Sequence, residues 1–493
     1  MKKSFSSSNV FFIIIFAAFA LLTIARAVIG IPTPHLHNYG ESIVLANAWG
    51  LATGHGLYRW SELDNVPMFF AAYPPIFYLP VAAGIKMWGI SYVFGRSLVL
   101  LSMIGCSIMI AAIARRLGCD NLSSFAGGIM FMATWPIYVF GSYLRVDGPA
   151  VLFELIAVFI LLKPKMKLRH AIGFVFFAVL AGYTKQLAFT LVAGALLGML
   201  IGGDGSHRKR LFGIGAAYGA TAILVFLAIE YWTGWHFHQF VMAGVDKSFS
   251  WEHFIRNTME MVRDPITVAV AILGIMGFVY RRERIWYSAL IIVPMAMAFR
   301  LVGVRGADIN HFFEPMAACC IGAALFMNMV GNKKLNGHFR ACVFLLLIFV
   351  FSLAESVYLR KGSTKKAEMI LTDSGVLTNQ TLKSPTAVSL MKEFLSPGDL
   401  VLSQHPDLPL FAGCLPAMTD PLTISLISNH NGEIPLPVVE ALGDRRVKLV
   451  IMKEEITTAH PMQFLPKGAA EAIEDNYHRV PLYSFGYAFY EPK

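Results

Sequence analysis

At 493 residues, with 56% hydrophobic and only 15% charged side chains, the chain is too apolar for a soluble globular protein, in which about a quarter of residues are charged. A formal charge of +10 would suit a nucleic-acid binder, but the basic residues fall in short clusters between apolar runs, the pattern of membrane loops, which excludes that class. Four of the six cysteines (Cys106, Cys319, Cys320 and Cys342) lie inside apolar runs, so a disulfide framework is excluded as well and all six read as small packing residues.

The first apolar run, Val10 to Gly30, follows Lys2 and Lys3. It is longer than the core of a signal peptide and suits an uncleaved first span. Further spans are predicted near 97–114, 123–142, 148–162, 171–184, 187–202, 211–232, 266–280, 285–299, 314–330 and 341–358, about 11 in all. The stretch 171–202 divides in two, since one helix of that length would run about 48 Å at 1.5 Å per residue, too long for a bilayer core. The break falls at Tyr183-Thr184-Lys185-Gln186 and puts the lysine at a membrane boundary. With the N-terminus cytoplasmic, Arg115-Arg116, Lys163 through Arg169, Arg208-Lys209-Arg210, Arg281-Arg282 with Arg284, and Lys333-Lys334 through Arg340 all fall on one side.

The opposite side holds the first loop (31–96), the turn at Arg145–Gly148, the turn at Lys185 and loops at 233–265 and 300–314. Within the first loop, 75–89 is apolar but carries Lys86 and prolines, and reads as a helix lying in the outer interface. The chain therefore reads as a transmembrane domain, 1–359, followed by a C-terminal domain, 360–493. Strands at Asp399–Ser403 and Val447–Met452, with helical stretches at 385–395 and 435–442, make the tail a small extracytoplasmic α/β domain.

Polar residues stand out on that outer side. Glu41 opens a helix just beyond the first span, where a carboxylate suits the helix dipole. Arg145 and Asp147 sit between two spans with almost no loop, and charges so placed face each other or a wet cavity. Lys185 suits either snorkelling or an anionic phosphate. The run from Arg305 to Glu314, with Asp308 and Asn310 between, is too polar for a simple helix start. The spacing of His236 and His238, with His253 beyond, is a weak metal signal in an aromatic-rich loop, and no metal site is assigned.

In order along the chain, Tyr39-Gly40-Glu41, Gly56-Leu57-Tyr58, Tyr73-Pro74-Pro75-Ile76-Phe77-Tyr78, Arg145-Val146-Asp147, Thr184-Lys185 and Asn310-His311-Phe312-Phe313-Glu314 form a pattern. It resembles that of the GT-C membrane glycosyltransferases, the polyprenyl-phosphate-sugar enzymes that include protein O-mannosyltransferases (glycosyltransferase family 39-like) and the aminoarabinose transferases of lipid A. The resemblance covers about 30 to 360. It departs from the family at Gly40-Glu41, where many members carry an Asp-containing pair, and at His311, where Tyr often follows Asn.

The resemblance implies a GT-C-like helical membrane domain that moves a sugar from a polyprenyl-phosphate donor to a hydroxyl on an extracytoplasmic glycan, lipid or protein acceptor, with inversion. The implied setting is a bacterial inner membrane, with the N-terminus cytoplasmic and the tail outside. A sugar on a lipid phosphate has a good leaving group, so departure needs cations and one carboxylate suffices as base. Glu41 is then the general base and Lys185 and Arg145 hold phosphate, with Arg305 as a further candidate. Asp147 orients Arg145, and Asn310, Glu314, Tyr58 and Tyr73 line the donor pocket. No cofactor is assigned, and a divalent metal stays open, since some branches use one and others none. The rival reading, a transporter or flippase for a lipid-linked or anionic substrate, calls for internal repeats and mid-bilayer charges; neither is evident in the sequence.

Overall fold

The computed structural model describes residues 7–34, 38–163, 165–202, 205–243, 248–280, 288–304, 306–331, 383–431, 437–452, 464–480 and 487–493. The membrane part contains α1 (Ser7–Gly30), α2 (Tyr39–Thr53), α3 (Tyr78–Trp88), α4 (Val93–Arg116), α5 (Asn121–Ala133), α6 (Trp135–Phe140), α7 (Asp147–Leu161) and α8 (Leu168–Thr184). It continues with α9 (Thr190–Gly202), α10 (Gly205–Trp232), α11 (Phe237–Ala243), α12 (Trp251–Arg263), α13 (Pro265–Val279), α14 (Ala289–Val302) and α15 (Phe313–Gly331). Every predicted span from the first to 314–330 falls on a helix, while the run 341–358 and the basic clusters at 281–284 and 333–340 lie outside the described residues.

The chain is a multi-pass membrane protein, but its helices are not uniform spans. Among the described residues four are long and apolar enough to cross a bilayer alone: α1, α4, α10 and the segment Ile309–Val330. The last is 94% buried within the protein and forms the bundle centre, whereas α10 is 6% buried and exposes its apolar side chains. The others are short because the chain breaks them at identifiable places. The run at 123–142 divides at Thr134, with Pro136 in the first turn of α6. Between α12 and α13 the chain turns by 87° at Asp264-Pro265. There Asp264 ends α12 and accepts the Thr267 N–H at 2.8 Å to cap α13. The split at Lys185 occurs as expected, and the orphan N–H of Leu191 at the head of α9 is met by Glu154 Oε1 at 2.9 Å. Centrally, α13 and α15 pack backbone to backbone: a Cβ on Gly277 would lie 1.8 Å from the Gly322 carbonyl, so only glycine fits.

Two helices lie where amphipathic interface helices would. On α12 the exposed Trp251, Ile255, Met259 and Val262 recur at helical spacing on one face, while Asn257 and Met261 are buried on the other. On α3, inside the predicted 75–89 segment, Leu79, Met87 and Trp88 are exposed and Tyr78, Val81, Ala82 and Ile85 buried.

The tail carries β1 (Leu400–Ser403), β2 (Leu415–Pro416), β3 (Val447–Met452), β4 (Tyr477–Arg479) and β5 (Ala488–Pro492) in one sheet of order β2-β1-β3-β5-β4. β1 pairs in parallel with β2 and β3, and β5 runs antiparallel to β3 and β4. Its described helices are α16 (Lys383–Phe394), α17 (Asp407–Ala412), α18 (Pro421–Asn431), α19 (Pro437–Gly443) and α20 (Ala469–Asn476). This α/β unit does not hang free. Met68 N–H donates to the Ala417 carbonyl and Thr419 N–H to the Met68 carbonyl, both at 2.9 Å, as a parallel bridge between first loop and tail. The Thr419 hydroxyl accepts from Phe70 N–H and meets Asn47 Oδ1 at 3.1 Å, and one apolar core runs through both regions.

A second tail contact is sensitive to acid. Asp407, first in α17, is buried beside Tyr92; burial, with Glu41 nearby, pushes its carboxyl from 3.8 up to about 6, although Tyr92 and Arg96 pull the other way. A pKa raised on folding means that the native state takes up its proton first as pH falls. The contribution of Asp407 to stability is therefore lowest near neutral pH and rises between about pH 6 and pH 4. Asp407→Asn is expected to remove that rise, which melting curves of wild type and variant across this window would show as a converging difference.

Candidate active site

The first candidate, Glu41, is engaged elsewhere. Arg96, at the start of α4, donates Nε to Glu41 Oε1 at 2.9 Å and Nη2 to Oε2 at 2.8 Å, and Leu144 N–H adds a third bond to Oε1 at 2.7 Å. Both side chains are fully buried. Arg96 Nη1 also reaches the Gly30 and Thr33 carbonyls, so the pair ties together the end of α1, the start of α2, α4 and the turn before α7. Glu41 does not line the cavity described below. A carboxylate saturated by a forked guanidinium and an amide is a fastening.

The second constellation centres on Asp147, first residue of α7. Its Oδ1 takes Lys185 Nζ at 2.8 Å and Asn310 Nδ2 at 2.7 Å, and its Oδ2 takes Arg145 Nε at 3.1 Å. Glu314 sits 3.8 Å from Lys185. Residues from three separate stretches thus meet, because each lies where a helix begins or ends and the backbone leaves room for polar side chains. Arg145 Nη1 donates to Asn38 Oδ1 at 2.9 Å, while Nη2 has no hydrogen-bond partner among the described residues.

That guanidinium lies in the wall of a cavity of about 330 Å³, lined also by Asn38, Tyr39, Gly40, Tyr73 and Gln186. Helix α12 contributes His253 and Arg256, the stretch before α15 contributes Asp308, and the tail contributes Asp420, Thr423 and Phe464. Of the residues expected at the site, Arg145 and Tyr73 line this space, and Asp147, Lys185, Asn310 and Glu314 form the layer behind Arg145. Tyr58 lies behind Tyr73, its hydroxyl donating to the Tyr73 carbonyl at 2.5 Å. Arg305 lies outside the described residues. The loop histidines divide: His253 faces the cavity, whereas His238 is paired through Nδ1 with Glu230 at 2.8 Å. Tyr39 bridges membrane part and tail. Its hydroxyl accepts from Leu422 N–H at 3.0 Å and donates to Asp420 Oδ1 at 3.4 Å; burial pushes its pKa well above the ordinary value and keeps that proton in place.

No protein-family model matches this sequence, and no curated protein matches it. Solved structures do. The chain superimposes on ArnT from Cupriavidus metallidurans, solved bound to undecaprenyl phosphate, with a TM-score of 0.61 at 13% identity, covering 96% of this chain and 97% of that one. The archaeal oligosaccharyltransferase AglB from Archaeoglobus fulgidus, solved with an inhibitory peptide and a dolichol-phosphate, gives 0.50 at 14% identity over 94% of this chain and 75% of its own. The mycobacterial arabinofuranosyltransferase AftD gives 0.50 at 11% identity over 96% and 40%. The fold is GT-C.

Within this GT-C fold several cavity residues carried no signal in the sequence. Gln186 and Arg256 are ordinary loop and interface-helix residues in sequence, and Asp420 lies in a stretch of the tail where no element was predicted. Asn38 and Gly40 belong to the first-loop pattern, but only the fold turns them toward Arg145. Arg96 had a faint signal, a lone arginine at the head of an apolar run.

Proposed function

We propose that the chain is a membrane glycosyltransferase that takes a sugar from a polyprenyl phosphate and passes it to an acceptor hydroxyl in the outer cavity. The observation that carries this reading is Arg145: a guanidinium in a cavity wall, oriented by Asp147 and Asn38 and keeping Nη2 for a ligand. Such a fork is suited to a phosphate, whose oxygens gather charge as the sugar leaves. Lys185 adds positive potential from behind, balanced by Asp147 and Glu314, and Arg256 adds an exposed cation at the rim. Because the buried carboxylates already neutralise Lys185, Arg145 is the phosphate ligand and Lys185 its electrostatic support.

The fold likeness supports a lipid-linked donor, since ArnT and AglB were solved with undecaprenyl phosphate and dolichol-phosphate. The exposed apolar faces of α3 and α12 are suited to contact with a polyprenyl tail, and α12 also lines the cavity through His253 and Arg256. Direct displacement inverts the anomeric centre. The cavity and tail face the outer side of a bacterial inner membrane, and the N-terminus is cytoplasmic. Some GT-C branches use a divalent ion; among the described residues no three His, Cys, Asp or Glu side chains cluster.

The test uses the full chain in lipid nanodiscs with a panel of undecaprenyl-phosphate-linked hexoses and pentoses, and octyl glycosides as acceptors. Acceptor-dependent release of undecaprenyl phosphate is the expected result. Binding of these lipids with no release under any acceptor would contradict the proposal.

Behind the site, Lys185→Met is expected to cost stability. It leaves Asp147 and Glu314 buried without their shared cation, a loss of about 3–5 kcal/mol in typical buried pairs. Thermal unfolding in detergent, read beside activity per folded molecule, checks this.

A further inference from the structure

We infer that Asp420, from the C-terminal domain, is the general base that accepts the acceptor's proton, so that the tail is part of the active site. This rests on the transferase reading above.

Among the described residues, the first loop offers no carboxylate to the cavity. Glu41 has both oxygens bound by Arg96 and is shut away. Its neighbour Gly40 does line the cavity but has no side chain, and a Cβ there would lie 3.1 Å from Arg145 Nη1 and 3.2 Å from Asn38 Oδ1. The chain thus presents bare backbone beside its phosphate-ligand arginine, and an acid must come from another wall.

Among the described lining residues the carboxylates are Asp308 and Asp420. Asp308 caps the short helix Ile309–Phe312 by accepting Ile309 N–H at 2.9 Å, and its negative charge acts on Arg145, which places it on the phosphate side. Asp420 comes from the tail. Its Oδ1 accepts Thr423 N–H at 3.1 Å and the Tyr39 hydroxyl at 3.4 Å, which holds the carboxyl at the tip of the Tyr39 ring in the cavity that Gly40 also lines. The backbone on either side is pinned by the Met68–Met418 bridge and by the Thr419 hydroxyl with Phe70 and Asn47. A base must be held in place if it is to meet one hydroxyl at one angle, and these contacts hold the segment against the first loop.

The step balances without a co-reactant. The acceptor oxygen forms a bond to the anomeric carbon while its proton passes to the Asp420 carboxylate. The bond from anomeric carbon to phosphate oxygen breaks, and its electron pair leaves on the lipid phosphate beside Arg145. Asp420 then gives the proton to solvent.

Asp420→Asn is a clean variant because asparagine caps a helix as well as aspartate does, so α18 and the Tyr39 contact keep their partner. In the nanodisc assay its turnover is expected to fall about 10²–10⁴-fold, the range that a positioned general base supplies. Undecaprenyl phosphate binding, followed by native mass spectrometry, is expected to stay within about two-fold, since charge-assisted contacts to the phosphate come from Arg145. The acid limb of the pH–rate profile is expected to disappear in the residual activity. Turnover close to wild type in Asp420→Asn would overturn the assignment while leaving the transferase reading intact. A wild-type chain that releases no undecaprenyl phosphate would overturn both.

Discussion

Replacing Arg145 by alanine is expected to lower transfer about 10²–10³-fold while the protein stays folded, the usual loss when a preorganised donor to a developing negative charge is removed. The prediction follows from how the guanidinium is held. Asp147 takes Nε and Asn38 takes Nη1, Nη2 has no partner among the described residues, and the side chain lines a cavity walled also by Tyr39, Tyr73 and Gln186. Arg145→Ala leaves the Lys185–Asp147–Asn310 contacts in place, so Asp147 is not stranded. Most of the loss should appear in kcat, because the phosphate gains charge as the sugar departs and only interactions that strengthen at that moment speed the reaction. Arg145→Lys restores a charge without the planar fork and is expected to recover only part of the rate. An unchanged kcat in Arg145→Ala would remove it from the chemistry.

The second large effect is on stability. Arg96→Met or Glu41→Gln alone is expected to cost about 3–5 kcal/mol, since each leaves a charge or a cluster of donors buried without its partner. Replacing both, as Glu41→Met with Arg96→Met, is expected to recover much of that loss, because a buried ion pair is often no more stable than apolar side chains of similar volume. Thermal unfolding of the two single variants and the double variant gives the coupling directly. The same series separates structure from chemistry at Glu41. Per folded molecule, Glu41→Gln is expected to retain turnover, whereas a variant that melts like wild type yet has lost transfer would return the role of base to Glu41.

Short-range features of this chain are legible in its sequence, and long-range ones are not. Apolar runs were legible as helices because burial in lipid is written locally, residue by residue, and the break at Lys185 was legible because a helix through it would outrun the bilayer. The shortness of α9 was less so: its capping group is Glu154, in another helix. Arg145, Asp147, Lys185, Asn310 and Glu314 could each be picked out as polar groups at helix ends, and the fold does bring them together. Glu41 stood out as an acid at a helix start, and its pairing did not show. An acid at a helix start looks available until its partner, Arg96, is known to lie at the head of α4 and aimed back at it. The tail was read as a separate unit because its strands and helices are self-contained in sequence. Its hold on the first loop depends on the Met68 backbone meeting Ala417 and Thr419, and backbone pairing leaves no mark on side-chain pattern. Asp420 was hidden with it.

The most direct test is a cryo-EM structure of the full chain in nanodiscs with undecaprenyl phosphate. The phosphate is expected to hydrogen-bond Arg145 inside the cavity between Gly40 and the tail, with the lipid leaving past α3 or α12 and Glu41 still clasped by Arg96. Phosphate density in a different crevice, or a cavity into which Glu41 has swung free of Arg96 while Asp420 has turned away, would contradict the assignment of this cavity and its residues.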